Sequence, residues 1–398
     1  MEPTLSSPSE ARRRTGFTLV VTATTAMMAG ASAPSPFYPT LQEQLHLLPV
    51  ATTGVFAVYA VALLGALLVF GSVSDHLGRR PVISAAFILL AASVTAFLLA
   101  DSLTTLLLAR ILQGIASGVL LTSLSAAIAD LEPEDKPGSS AVWNTVAPLG
   151  GLAVGALTSG LLLDLLSEPR TLVFVSLTAI YLAMAALIWL APETSTRIPG
   201  AAASLRPHLT MPPAARGAFF TGMPAVFAGW ATGGLYLSLG ASIVHSTFGI
   251  QEHVWQGIVI TVLAGTGSIA AAILHHRDAR TITIFGTSAL ALGTALSLLA
   301  LAFTSFPAFL AAVVVAGAGF GTAFMGVIRS VSPLVHDHER AGTFASLFIV
   351  AYIAFGIPAV LAGLLAPVLS LTTTTYLYGG IVTVFAAYAA VMRARSSR

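Results

Sequence analysis

Residues 71–81 read GSVSDHLGRRP and interrupt two long apolar segments with a short polar loop. The flanking apolar runs cover approximately residues 50–73 and 81–100. A helix needs about 20 apolar residues to cross the hydrocarbon core of a bilayer. The stretch therefore predicts two antiparallel membrane helices joined by a charged turn, and the rest of the chain can be interpreted outward from it.

The composition agrees with a membrane protein. Hydrophobic residues make up 56% of the 398 residues, charged residues only 9%, and the mean hydropathy is +0.89. A soluble domain carries about 25% charged residues, so this chain has too few to cover a water-facing surface. The net charge of +2 comes from basic residues scattered through short loops, which argues against nucleic acid as a partner. The chain has no cysteine, and therefore no disulfide or thiolate metal site.

Apolar runs of spanning length predict twelve membrane helices, six on each side of a proline-rich stretch at residues 192–215. The predicted spans are 16–37, 50–73, 81–100, 103–128, 139–163, 171–191, 217–243, 254–274, 281–303, 306–329, 342–366 and 373–392. The first has an alternative, because Arg12-Arg13-Arg14 followed by an apolar run to Ala33 is also the pattern of a cleavable signal peptide. We favour a membrane helix, since the run is long and further spans follow.

The distribution of basic residues predicts the orientation. With the N-terminus in the cytoplasm, sixteen of the eighteen Lys and Arg residues lie on the cytoplasmic side, as the positive-inside rule requires. Arg110 falls within a span and only Arg170 lies outside. The sequence thus predicts a multi-pass protein of the bacterial plasma (inner) membrane with both termini in the cytoplasm.

An internal repeat at a constant offset of 203 residues divides the chain. Asp75 corresponds to Asp278, and Gly160 corresponds to Gly363. Gly114 and Gly118, within residues 113–118, likewise correspond to glycines in residues 316–321. The predicted fold is therefore all-α, with two six-helix pseudo-repeats at 1–191 and 216–398 and a cytoplasmic linker at 192–215. Duplicated six-helix halves are one known plan of membrane transporters.

The loop at 71–81 resembles the signature of the major facilitator superfamily, G-x-x-x-D-x-x-G-R-R-P, at every defining position. The resemblance implies the major facilitator fold and a conformational latch formed by Gly71, Asp75, Gly78, Arg79 and Arg80. In this interpretation the Asp75 carboxylate caps the start of the third helix, or of a helix in the other half, where it meets a positive dipole end.

The fourth span adds a second resemblance, because Arg110, Gln113 and Gly114 match the R-x-x-Q-G segment of the same superfamily. An arginine inside the membrane is a functional hypothesis by default, while the alternative is a side chain that snorkels to the nearby interface. The fifth span departs from the pattern. Drug-exporting antiporters of the superfamily carry G-P-x-x-G-G there, whereas residues 155–160 read GALTSG, and this puts the antiporter assignment in doubt.

No phosphate-binding loop of the G-x-x-x-x-G-K-[ST] type occurs, and Lys136 is the sole lysine, so the chain is not an ATP-driven pump by itself. We expect a secondary transporter that uses alternating access, rather than an enzyme, with no cofactor and no metal site. The resemblance implies protons as the coupling ion, although no acid lies near the middle of a span. Export of lipophilic or drug-like compounds is the leading hypothesis. Import of a small metabolite (an amino acid, organic acid or sugar) and a non-transporting membrane protein of the same fold stay open.

The residues expected to line the solute cavity are apolar, aromatic or weakly polar, which suits a lipophilic solute better than a sugar. They are Met27, Tyr59, Asn144, Trp230, Tyr236, Met325 and Tyr352. For each of them ordinary helix packing is at least as good an explanation. The expected partners are the small solute, protons and the lipid bilayer, and the resemblance implies a monomer.

Overall fold

The computed structural model describes residues 10–197, 199–205 and 211–395. Within them, twelve helices are long and apolar enough to span a membrane, which confirms the predicted number. They are α1 (Glu10–Ser32), α2 (Pro49–Phe70), α3 (Arg79–Leu98), α4 (Leu103–Asp130), α5 (Ser139–Leu165), α6 (Pro169–Leu187), α7 (Pro213–Phe248), α8 (His253–Leu274), α9 (Ala279–Ala302), α10 (Phe306–Val331), α11 (Asp337–Leu369) and α12 (Leu371–Arg395).

The chain stays helical beyond the end of α1. The proline-rich stretch forms a 3-10 turn at Ser35–Phe37 and then a short helix at Tyr38–Gln44, so the first span continues beyond its predicted end. Pro39 lies in the first turn of this short helix, where a missing N–H costs no hydrogen bond. This extension brings Tyr38 to the Arg110 guanidinium and Thr40 to the His253 ring.

The helices alternate in direction, so the loops sort to two faces. We call the face that carries the loops at 71–78 and 131–138 the basic face, and the other the opposite face. Contacts between loops support this sorting. Arg13 pairs with Glu134 at 2.8 Å on the basic face, and the Arg329 guanidinium donates to the carbonyl of Arg277 there at 3.0 Å. On the opposite face, Arg170 donates to the carbonyl of Phe97 at 2.7 Å.

The internal repeat of the sequence corresponds to the same helix-packing contact in both halves. Gly114 and Gly118 of α4 lie against the backbone of α2, and their counterparts Gly317 and Gly321 of α10 lie against the backbone of α8. A Cβ on Gly114 would come within 2.9 Å of the Leu63 nitrogen. Membrane helices associate most closely where small residues let backbones touch, so each half is held together by the same glycine contact.

The two halves meet along two helix pairs, α2 with α11 and α5 with α8. Gly363 of α11 faces Thr53 of α2, and the rings of Phe56 and Phe355 lie 4.8 Å apart in the same seam. In the other seam, the Thr261 hydroxyl of α8 donates to the carbonyl of Ala153 at 3.0 Å. These contacts bring the two pseudo-repeats side by side.

Helix α5 lies between α1 and the second half and packs against both. Gly151 and Gly155 face the backbone of α1 at Thr25 and Ala29, and Gly160 faces the backbone of α8 at His253. Gly155 and Gly160, which match two glycine positions of the antiporter pattern, and Gly151 before them therefore give α5 close contact on both of its sides. The helix continues through Pro148 without a break.

The glycine contacts predict that a larger side chain destabilises the protein where the glycine touches another helix. In Gly321→Val the new Cβ would lie 2.6 Å from the Cα of Gly267, so α8 and α10 must separate. We expect the free energy of unfolding to fall by about 1–3 kcal/mol, the usual cost of overpacking. Thermal unfolding of the purified protein in detergent measures this as a lower melting temperature.

The matched control is Gly65→Val in α2, because a Cβ at Gly65 would meet no atom within 4 Å. Equal melting temperatures for the two variants would show that the α8–α10 contact does not depend on glycine.

Candidate functional site

The loop after α2 forms an ion-pair cluster on the basic face. The Arg79 guanidinium lies 2.5 Å from the Asp75 carboxylate and 3.3 Å from the carboxylate of Asp130, at the end of α4. Arg79 also donates to the Ser74 hydroxyl at 2.6 Å. Through Asp130, the cluster joins the end of α4 to the loop after α2.

The start of α3 is capped by a residue that the sequence did not indicate. The Glu193 carboxylate accepts hydrogen bonds from the backbone nitrogens of Arg79 at 2.8 Å and Arg80 at 3.2 Å. The expectation that Asp75 caps this helix is therefore wrong for this conformation, because Asp75 faces the Arg79 side chain instead. A carboxylate at this position satisfies unpaired N–H groups and meets the positive end of the helix dipole.

Gly78 is required by the geometry of this cap. Its φ of +104° is a conformation that residues with a Cβ rarely adopt, and a Cβ there would lie 2.9 Å from the Glu193 carboxylate. The turn at Gly78 thus brings the first N–H groups of α3 directly onto Glu193. Gly78 therefore permits the tight turn and also leaves room for the capping side chain.

The beginning of the linker is bound to this cluster through neighbouring residues. The Ser195 hydroxyl donates to the Asp75 carbonyl and the Thr194 hydroxyl to the Asp130 carboxylate, both at 2.7 Å. The Arg80 guanidinium lies over the Trp189 ring at 5.0 Å, a cation–π distance. We call Asp75, Arg79, Asp130 and Glu193 the loop network.

The repeat counterpart of Asp75 behaves differently. Asp278 accepts from the Thr281 nitrogen at 2.9 Å and from its hydroxyl at 2.7 Å, and so caps α9 directly. These hydrogen bonds, the backbone one above all, hold the pKa of Asp278 below its usual range. The loop network therefore exists in the first half only among the described residues, although both halves carry the aspartate.

Arg110 is the buried charge of the first half. Its side chain is only 1% exposed, so the snorkelling alternative does not hold. The guanidinium donates to the Gln113 side-chain oxygen at 2.5 Å and to the Tyr38 hydroxyl. Gln113 in turn donates to the Gly30 carbonyl at 2.8 Å, which ties α4 to α1.

Aromatic rings surround this guanidinium. Its central carbon lies 5.5 Å from the Tyr38 ring, 5.3 Å from the Tyr59 ring and 5.1 Å from the Phe97 ring. No carboxylate of the described residues lies within ion-pair distance of Arg110. Aromatic faces stabilise a desolvated cation, so the rings substitute in part for the missing acid.

A cavity of about 540 Å³ opens near the basic face between α1, α5 and the loop before α5. Its walls combine threonines, aromatic residues and a few charges, and are formed by Arg14, Phe17, Thr18, Val21, Thr22, Thr25, Pro133, Asp135, Lys136, Ser139 and Trp143. None of the seven residues predicted to contact solute lines it, although Asn144 follows Trp143 directly. The spacing of Thr18, Thr22 and Thr25, which places them on one helix face, is the signal that could have indicated this wall.

Two of the predicted cavity residues lie together at the junction of the halves. The rings of Trp230 and Tyr352 pack in a tilted arrangement with centroids 4.8 Å apart, and Phe355 joins them at 5.8 Å from Trp230. Phe355 also touches Phe56 of the first half, so this aromatic cluster spans the seam between α2 and α11. Tyr352 further lines a smaller apolar cavity of about 250 Å³ in that seam.

The other predicted cavity residues are placed apart from this cluster. Tyr59 is one of the aromatic residues packed around the Arg110 guanidinium, and Met27 is buried in the core of the first half. Tyr236 lies inside the second half, where its hydroxyl is 2.9 Å from that of Ser297 on α9. Asn144 donates to the Ser125 carbonyl at 3.3 Å, and Met325 is partly buried on α10.

The sequence and the fold were compared with known proteins. A family model described as Major Facilitator Superfamily matches residues 20–296. The MFS-type transporter paaT of Penicillium rubens is 28% identical over 127 residues, which are 32% of this chain and 23% of that protein. The match thus spans less than a quarter of that relative.

Two solved structures share the whole fold. The human organic anion transporter MFSD10 (TETRAN) superposes with a TM-score of 0.70 at 17% identity, covering 96% of this chain and 100% of that one. A bacterial homologue of the human lysosomal transporter Spinster, in an inward-facing and unoccupied conformation, superposes with a TM-score of 0.75 at 14% identity, covering 98% of both chains. At these identities the likeness concerns the fold alone.

The capping role of Glu193 gives a testable prediction. Glu193→Ala leaves two N–H groups at the start of α3 without their acceptor, and we expect the free energy of unfolding to fall by about 1 kcal/mol. Limited proteolysis should also cut the linker after α6 faster, because its contacts to the loop network are weakened.

Glu252→Ala is the control, since Glu252 occupies the position before α8 but its side chain makes no capping hydrogen bond. If both variants unfold and are cleaved like the parent protein, Glu193 does not hold the linker against α3.

Proposed function

Because the chain belongs to the major facilitator superfamily, we propose that it is a proton-coupled exporter that moves small lipophilic solutes across the bacterial plasma membrane by alternating access. The observation that carries this proposal is the asymmetry between the two faces. A cavity opens near the basic face, while α5 and α8 are joined at the opposite face through Asp164 and His253. The basic face is taken as cytoplasmic, in accord with the positive-inside rule.

The contacts between the two halves support a movement of each half as a rigid body. The halves 1–191 and 216–398 meet mainly along the α2–α11 and α5–α8 pairs, so each can move as a body when the helices of these two seams shift against each other. Rotation that separates these helices at the opposite face would open the pathway there. Such rocking of one repeat against another is the general mechanism of duplicated transporters.

The lining of the cavity supports the solute class. Phe17, Val21 and Trp143 supply apolar surface, and threonine hydroxyls supply a few hydrogen bonds. The charges at its mouth partly cancel, since Arg14 lies 3.3 Å from Asp135. An apolar pocket with few fixed charges favours a lipophilic solute over a sugar, which needs many hydrogen-bonding partners.

The loop network supports a latch at the basic face. In this conformation the Asp75 carboxylate pairs with Arg79. Glu193 and Ser195 hold the start of the linker against α3 and the loop before it. We propose that the opposite conformation releases Asp75 from Arg79 so that it can reach the second half. The latch would then bias which face is open, while the transported solute contacts other residues.

A second candidate, import of a small anionic metabolite, is favoured by one observation. Arg110 is buried without a carboxylate partner among the described residues, and a solute carboxylate could supply that charge. Deletion of the chromosomal gene distinguishes the two candidates: import predicts impaired growth on the metabolite, whereas export predicts greater sensitivity to lipophilic compounds.

Export can be tested with Nile red, a neutral lipophilic dye. Cells that lack their main exporters are loaded with the dye and re-energised, and the initial efflux rate is measured. Thr22→Trp places an indole into the cavity and should reduce efflux by the chain at least about threefold, because binding energy at the site is lost.

Thr158→Trp is the control, as Thr158 is exposed on α5 and does not line the cavity. Dye efflux that is unaffected by Thr22→Trp, or equal to that of cells without the chain, contradicts the proposal.

A further inference from the structure

The opposite face carries a junction that the proposed function does not yet use. The Asp164 carboxylate, at the end of α5, accepts hydrogen bonds from the His253 nitrogen at 2.9 Å and from the Val254 nitrogen at 2.7 Å. It therefore caps α8, a helix of the other half. This is a polar contact between the two halves at the opposite face.

The His253 side chain completes the junction. Its Nδ1 lies 2.9 Å from the Asp164 carboxylate, and its Nε2 lies 3.4 Å from the Thr40 hydroxyl on the short helix after α1. One imidazole thus touches α5 and the short helix, both of the first half, from its place on α8 in the second half. Gly160, one turn before Asp164, faces the His253 carbonyl and allows this close approach.

The contacts allow the ring to change its protonation state in place. An ionised carboxylate only accepts hydrogen bonds, so Nδ1 carries the hydrogen in both states. In the neutral ring, Nε2 accepts from the Thr40 hydroxyl. In the protonated ring, Nε2–H donates to the same hydroxyl oxygen. No contact is lost on protonation, and the Asp164 contact gains a full charge–charge attraction.

The ring is partly exposed at the opposite face. The side chains of His253 and Asp164 are 29% and 22% exposed, and both lie at the opposite-face ends of their helices. The cavity near the basic face is lined by other residues. Protons in the compartment that this face meets therefore have access to the imidazole.

The neighbouring charges do not compete for the junction. The other charged or titratable residues at this end of the packed elements are Glu43, His46, Glu168, Arg170, His245 and Glu252. His245 bonds to Gln251, and Arg170 donates to main-chain carbonyls of Phe97 and Ala100. In the described part of the chain, none of the six bonds to Asp164 or His253.

We propose that Asp164 and His253 form a proton-binding clasp that keeps the opposite face closed when His253 is protonated. This inference rests on the proposed alternating access. Separating α5 from α8 must break the charge pair, so protonation favours the closed opposite face and deprotonation favours opening. Acid in the compartment at that face then drives the protein toward the conformation whose cavity faces the cytoplasm.

The clasp can be tested by distance measurements between spin labels. The chain has no cysteine, so Ser167→Cys and Thr372→Cys place labels on exposed residues of the two halves at the opposite face without background. The parent pair should give a short and a long distance. Their ratio should rise at least about threefold in favour of the short distance from pH 8 to pH 5, the range in which histidine titrates.

Three variants of the labelled protein separate the clasp from other causes. His253→Gln should lose the pH response because glutamine does not titrate, and Asp164→Asn should lose it because the charge partner is gone. His245→Gln keeps His253 and should respond like the parent. Size-exclusion profiles at both pH values show whether each variant is folded.

A full pH response in folded His253→Gln or Asp164→Asn overturns the clasp. Two distances in the parent that do not respond to pH also overturn the clasp but leave alternating access standing. A single distance at every pH, with or without Nile red, overturns the proposed function as well.

Discussion

Close contact between helix backbones is the constraint on which the rest of the structure depends. Within a bilayer the hydrophobic effect does not press helices together, so packing at small residues must do so. Gly114 and Gly118 bring α4 onto α2, and Gly317 and Gly321 bring α10 onto α8 in the same manner. The duplicated contact gives two half-bundles of equal design, and it leaves the α2–α11 and α5–α8 seams as the places where one half meets the other.

Charge is arranged around this packing according to the cost of burying it. Most basic residues lie at the basic face, where Arg79 organises Asp75 and Asp130 and the linker residue Glu193 caps α3. The one guanidinium held deep within the described helices, that of Arg110, is enclosed by three aromatic rings and bonded to Gln113. At the opposite face, the Asp164 carboxylate and the His253 imidazole are hydrogen-bonded directly across the junction between the halves.

Much of the fold could be predicted from the sequence, because spanning length and the position of basic residues are properties of single segments. The twelve spans, the offset of 203 and the matched glycines all follow from such local patterns. The sites could not be predicted to the same degree. Glu193 lies 114 positions from the backbone that it caps, and Asp164 lies 89 from His253. No spacing rule connects such pairs, since helix packing alone brings them together.

The cavity illustrates the same limit. Tyr236 is one of the aromatic residues predicted from the sequence to contact solute, and in the structure its hydroxyl bonds to Ser297 inside the second half. Thr22 lines the cavity, although its residue type does not distinguish it from the many other threonines of the chain. Which face of a membrane helix meets the pathway depends on its neighbours, and a single sequence does not contain that information directly.

The most direct test of the account is a removable tether between the halves. Ala60→Cys with Gly356→Cys joins α2 to α11, where the Cβ separation of 3.5 Å suits a disulfide. Gly229→Cys with Ala323→Cys, at 3.9 Å, joins two helices of the second half and serves as the control. The account predicts that oxidation stops Nile red efflux in the first variant, that reduction restores it, and that the control transports in both states. Efflux at the full rate by the oxidised first variant would contradict the movement of one half against the other.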